Sequence, residues 1–276
     1  MKRIVTVQDI SCLGKCSLTV ALPIISAMGT EAVILPTAVL STHTMFSGFT
    51  CKDLSDQIDP IADHWAKEGF TFDAIYTGYL ASAPQIGQMI AFFERFGKSC
   101  LKVVDPAMGD NGKLYPAFDA AFAGEMAKLC AKADIVMPNL TEACFMLDLP
   151  YTEEPSREFV YEVLKKMTDL GAKKALLTGV GFEDDKLGVV GYDSEKNEYF
   201  EYFNQKVPAK YHGTGDIFSS CVVGGLMAGK SLEESAAIAA DFTREAIRLT
   251  LEDKGEHYYG VHFEQVIPLL VKRLEQ

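Results

Sequence analysis

The sequence has no Cys-x-x-Cys pair: its seven cysteines are odd in number and scattered, so neither a zinc site nor a disulfide framework is expected. It is also short of positive charge, with 26 Lys and Arg against 38 Asp and Glu and a net charge of −12. Such a chain repels nucleic-acid phosphates and anionic membranes, and neither is an expected partner. No apolar run approaches the length that crosses a bilayer, and the first residues enter a strand-like stretch without the apolar core of a signal peptide. A reduced cytoplasm is the expected setting. Repeats, low-complexity tracts and linkers are lacking too, which favours one domain over residues 1–276. What is present is apolar bulk, since 48% hydrophobic residues suffice for a sizeable core. If the ligand of so acidic a chain is a polyphosphate, a divalent cation has to accompany it.

Short β-branched runs alternate with helical patterns. Strands are expected at 4–7, 32–35, 74–77, 102–104, 135–137 and 175–178, and helices at 17–28, 53–67, 84–96, 117–132, 140–147 and 156–170. Continuous apolar strands between helices imply a parallel sheet covered on both faces. The alternation breaks once, where 187–192 and 199–203 read as an antiparallel hairpin added to the sheet edge. A small-residue, apolar helix running to Ala228 follows, then helices at 232–251 and 261–274.

The stretch that organises the chain is Tyr211-His212-Gly213-Thr214-Gly215-Asp216, which opens that apolar helix. Its glycines let a ligand approach the backbone. The first amides of the helix lack intrahelical partners and attract an anion. Asp216 at the mouth of that anion hole could take a proton from a hydroxyl as it attacks phosphorus. It could equally be an ordinary helix cap. Polar groups also recur at the strand exits: Gln8-Asp9, Thr77-Gly78-Tyr79, Asp105-Pro106, Pro138-Asn139 with Glu142, and Thr178-Gly179. Ligands bind at that edge of open parallel sheets. A second phosphate-loop pattern, Gly224 to Ser231 with Lys230, follows a helix rather than a strand. Gly229 there reads as a helix stop and Ser231-x-x-Glu234 as a capping box.

Taken together, the Gly-Thr-Gly-Asp stretch, Asp105-Pro106-x-x-Gly109-Asp110, Pro138-Asn139-x-x-Glu142, Gln8-Asp9, Ser41-Thr42-His43-Thr44 and Thr77-Gly78-Tyr79 make the chain resemble the ribokinase superfamily, and within it the pyridoxal (vitamin B6) kinases. The likeness runs through the whole chain in order. It implies an α/β three-layer sandwich with a mainly parallel central sheet, helices on both faces and an antiparallel edge hairpin. It further implies an ATP-dependent kinase for the 5′-hydroxyl of a B6 vitamer, active as a homodimer.

Carried over, the resemblance makes Asp216 the base and Gly213, Thr214 and Gly215 the anion hole. Asp105 and Glu142 would hold Mg²⁺ against the ATP phosphates. Asn139 and Thr178 would contact the nucleotide; Thr44 and Tyr79 would line the pyridine pocket, with Asp9 on a ring substituent or the ring nitrogen. A monovalent-ion requirement stays open. So do plainer readings: Asp105 as a turn former, Glu142 as a first-turn acid, Thr44 as a local cap, Tyr79 as core and His43 as structural. Asp9 stands where many relatives have serine, which would favour an amine-bearing vitamer. Asp110-Asn111-Gly112-Lys113 reads as either a flap over the phosphates or a solvated loop. His212-Gly213-Thr214-Gly215 is also similar to the hydroxymethylpyrimidine kinases, so a kinase for that substrate or a sugar, and a non-catalytic cofactor binder, remain as alternatives.

Overall fold

Branched apolar residues with both faces buried make the centre of the molecule. In the strand β1 (Arg3–Ser11), Val5 and Val7 face one core and Ile4 the other, all fully buried. Its parallel neighbours are β2 (Glu31–Leu40) and β4 (Ala74–Thr77); β5 (Leu101–Val104), β8 (Ile135–Val136) and β9 (Lys174–Val180) continue the parallel run. The hairpin of β10 (Lys186–Asp193) and β11 (Glu198–Gln205) adds antiparallel at one edge. At the other edge the short β3 (Cys51–Asp53) pairs antiparallel with β2. The nine-stranded order is β11-β10-β9-β8-β5-β4-β1-β2-β3. This computed structural model describes residues 1–253, 255 and 259–274.

Helices cover both faces. The first core is closed by α2 (Ser55–Lys67), α3 (Ala83–Phe96), α4 (Ala120–Cys130), α5 (Leu140–Leu147) and α6 (Arg157–Asp169). The second is closed by α1 (Leu18–Ala27), α7 (Thr214–Met227), α8 (Leu232–Glu252) and α9 (Ile267–Leu274). The expected three-layer sandwich is thus the observed one. Within it α7 packs very closely on its neighbours. A Cβ at Gly224 would collide with the Met28 sulfur, and one at Gly225 would lie 2.7 Å from the Ser235 hydroxyl. Glycine is what lets these helices meet.

Two expectations need correction. The helix expected from residue 53 starts at Ser55, because Cys51–Asp53 is drawn into the sheet by Ala38, Val39 and Leu40. The helix expected over 261–274 is a 3₁₀ turn at Phe263–Gln265 followed by α9. Pro268 cannot continue an incoming helix but suits the first turn of a new one. A two-stranded hairpin, β6 (Gly109–Asp110) and β7 (Lys113–Leu114), also appears beside the sheet. Asn111 and Gly112 at its tip both have positive φ, as a tight two-residue turn requires.

Candidate active site

The site forms where α7 begins, at the carboxyl edge of the sheet. Gly213 is the N-cap with φ 77°, and a side chain there would run into the Lys15 carbonyl. Helical bonding starts with the Ile217 N–H donating to Gly213 O at 3.0 Å. The amides of Gly213, Thr214, Gly215 and Asp216 therefore have no acceptor within the helix, and they carry the positive end of its dipole. Asp216, the third helical residue, does not cap its own helix. Its Oδ2 instead accepts the backbone N–H of Ser17 at 3.0 Å.

Serines join the acids to one another. The Ser17 hydroxyl donates to Asp9 Oδ1 at 2.6 Å, and the Ser11 hydroxyl donates to Asp9 Oδ2 at 3.1 Å. Ser219, three residues beyond Asp216, donates its hydroxyl to Asp105 Oδ2 at 2.6 Å. Asp105 lies directly after β5 and also accepts the Ala107 N–H at 3.3 Å. Neither serine stood out in the sequence. Asp216 is 199 residues from Ser17 and Asp105 is 114 from Ser219, and no local spacing announces such contacts.

Glu142 is 3% exposed. Its oxygens accept the N–H groups of Asn139 at 2.9 Å, Met108 at 3.0 Å and Gly109 at 3.4 Å. Ala107, with φ 35°, turns the chain so that the last two amides face the carboxylate. Asn139 caps α5 in a capping box with Glu142, and its amide donates to Gly109 O at 2.8 Å. An isolated parallel bridge to Thr178 sets these two residues side by side across the sheet. Half-buried Tyr79, after β4, packs against Phe118 at 5.5 Å between ring centroids. Thr44 is exposed on the 41–50 loop. His43 in that loop lies 5.1 Å from His212, ring to ring. The hairpin tip is docked rather than loose: Gly112 N–H donates to Thr141 Oγ1 at 2.9 Å, and Lys210 donates to Asn111 Oδ1 at 2.6 Å.

The electrostatics follow from this crowding. Burial, and then the charges of Asp105 and Asp9, push Asp216 up to about 7 against the pull of the Ser17 N–H. Burial also raises Asp105 and Asp9, and burial together with Asp105 raises Glu142. A set of acids that discourage one another's ionisation can accept a proton near neutral pH and attracts a cation.

The Lys230 segment lies at the other end of α7, where Gly229 follows the helix and Ser231 with Glu234 forms the capping box of α8. It has no part in the amide cradle.

The sequence matches the phosphomethylpyrimidine kinase family over residues 22–262. A proposed phosphomethylpyrimidine kinase from Bacteroides thetaiotaomicron, crystallised with pyridoxal, is similar at 40% identity and a TM-score of 0.93, covering 98% of this chain and 95% of that one. Pyridoxal kinase from Lactobacillus plantarum is similar at 30% identity and a TM-score of 0.91, covering 99% and 97%. The hydroxymethylpyrimidine/phosphomethylpyrimidine kinase of Bacillus subtilis is 25% identical over 242 residues, 87% of this chain and 85% of its own. The chain belongs to the phosphomethylpyrimidine kinase family, phosphotransferases with alcohol acceptors, and within the ribokinase superfamily it is pyridoxal-kinase-like.

Proposed function

We propose that this protein is an ATP-dependent kinase that phosphorylates the 5′-hydroxyl of a B6 vitamer, with Asp216 as base and the Gly213-Thr214-Gly215 turn as anion cradle. One observation carries the reading. A carboxylate with its pKa pushed up to about 7 stands at a helix start whose first amides, Gly213 to Asp216, have no acceptor within the helix. A base of that strength is matched to the hydroxyl proton as the oxygen attacks phosphorus. The amides stabilise negative charge as it grows on the transferred group. The pyridine acceptor is supported by the pyridoxal-bound relative and the Lactobacillus kinase. Thr44 and Tyr79 would then flank the ring, and Asn139 and Thr178 the nucleotide.

The donor set fits Mg²⁺. Burial raises Asp105, Glu142 and Asp216, and the charges that raise the last two further are other carboxylates, so a cation favours the ionised form of all three. Among the described residues no three His, Cys, Asp or Glu side chains converge to wrap an ion. Mg²⁺ is content with one or two carboxylates, waters and phosphate oxygens. Asp105 and Glu142 would hold it, directly or through water, since each carboxylate keeps a lone pair beyond the N–H and O–H groups it accepts. Bound there, the ion would neutralise phosphate charge.

A second reading, a kinase for hydroxymethylpyrimidine, is favoured by the family match and the Bacillus relative. Coupled ATP turnover with pyridoxal, pyridoxine, pyridoxamine and hydroxymethylpyrimidine decides between them. We expect Mg²⁺-dependent turnover of at least one vitamer, reduced about 10²–10⁴-fold in Asp216→Asn. Turnover confined to hydroxymethylpyrimidine selects the second reading, and none with any acceptor leaves a binding protein.

A further inference from the structure

The resemblance assigns Asp9 to the pyridine ring, yet it is only 4% exposed, and bonds from Ser17 and Ser11 turn its two oxygens to the protein. Ser17 is unusual in its own right. It precedes α1 at the N-cap position with φ 50° and ψ −133°, a backbone conformation that glycine adopts and side chains resist. A serine there ordinarily turns its oxygen onto the amides of its own helix. This one makes no side-chain cap bond, and its hydroxyl goes to Asp9 at 2.6 Å instead. Both the local strain and the forgone cap lead to one result, a Ser17 N–H aimed at Asp216 Oδ2 at 3.0 Å.

We propose that Asp9 and Ser17 are positioning residues for Asp216. Asp9, fixed in β1, grips the Ser17 hydroxyl; that grip holds the strained backbone, and the amide so aimed fixes one oxygen of the catalytic carboxylate. The other oxygen, which has no hydrogen-bond partner among the described residues, is left to face the alcohol. A short charge-assisted bond is the kind of contact that can hold a strained residue in place. Alignment of a reacting group is worth the strain, since a displacement of about 1 Å can cost roughly 10²-fold in rate. The inference rests on Asp216 being the base, and it replaces ring contact as the role of Asp9.

The test is steady-state kinetics with the best vitamer on wild type, Asp216→Asn, Asp9→Ala, Asp9→Asn, Ser17→Gly and the Asp9→Ala/Ser17→Gly double variant. Ser17→Gly relieves the strain and keeps the N–H but loses the grip. We expect kcat to fall about tenfold or more in Asp9→Ala and Ser17→Gly with vitamer KM within about threefold. The double variant should be no worse than the worse single one, since both cut the same chain. Asp9→Asn still offers an oxygen to Ser17 and should recover most of the loss; it also decides the matter if Asp9→Ala does not fold. A raised vitamer KM at unchanged kcat in Asp9→Ala, or losses that multiply in the double variant, would overturn the proposal. If Asp216→Asn is inactive while the Asp9 and Ser17 variants match wild type, the positioning role alone falls. If Asp216→Asn keeps wild-type turnover, the base assignment falls first and the positioning role with it.

Discussion

The Ser219 hydroxyl donates to Asp105 at 2.6 Å and fastens the exit of β5 to the second turn of α7, the helix whose first turn carries Asp216. Two acids from distant parts of the chain are thereby held in one frame. Ser219→Ala leaves a buried Asp105 oxygen without that donor and should cost about 1.5–3 kcal/mol of stability. It should also raise the Mg²⁺ concentration needed for half-maximal turnover, because the carboxylate is no longer held in place. Urea unfolding and a Mg²⁺ titration of activity check both; unchanged values in the two would remove the link.

The two glycines of the cradle should respond differently. Gly213→Ala forces a side chain into φ 77° and against the Lys15 carbonyl, and should lose roughly 1–3 kcal/mol of stability. Gly215→Ala meets nothing within 4 Å and should fold within about 0.5 kcal/mol of wild type. Its methyl, however, stands beside Asp216 where a phosphate would approach, so ATP KM should rise about tenfold. Equal thermal stabilities for the two variants would contradict this.

Asp216 has to be deprotonated to act as base, so kcat/KM for the vitamer should climb with pH through a limb near 7. Bound Mg²⁺ and its positive charge move that limb to lower pH. Folding carries the opposite sign. A carboxyl raised above its unfolded value stabilises the fold below the unfolded pKa, and that stability is lost as pH rises through the folded one. The metal-free protein should therefore melt higher at pH 6 than at pH 8, with Mg²⁺ and ATP adding more at pH 8. Scanning calorimetry at the two pH values measures it, and the reverse order would mean that the site acids are not mutually strained.

Lys230→Ala should leave turnover within about twofold, because the residue sits between the end of α7 and the cap of α8, away from the amide cradle. A collapse of activity there would restore the phosphate-loop pattern.

Much of the architecture could be read in advance because periodicity is a local property. Residues 74–77 and 140–147 form their expected strand and helix to the residue, and the β10–β11 hairpin is where the alternation breaks. β3 was not legible, since Cys51-Lys52-Asp53 is polar and exposed and becomes a strand only by pairing with β2. β2 runs on through Pro36, which a sheet tolerates at a position whose outer side has no β3 partner. Of the site, the acids and glycines could be named from motif likeness. What could not be read was how they are held: Ser17, Ser219 and the turn at Ala107 act through long-range bonds and uncommon dihedrals. Asp9 is the clearest case, since the sequence shows the acid and nothing local in it shows that Ser17 binds it.

The tight seat of α7 on Met28 and Ser235 has a mechanical side. Gly224 is eight residues along the helix from Asp216, about 12 Å at 1.5 Å per residue, and nowhere near the chemistry. A side chain there too large for the Met28 thioether to make room for would tilt the helix against α1, and with Asp216 as the base the rod would swing that carboxylate at its front end. With Asp216 as base, its aim would be set partly from behind, by residues that never meet a ligand.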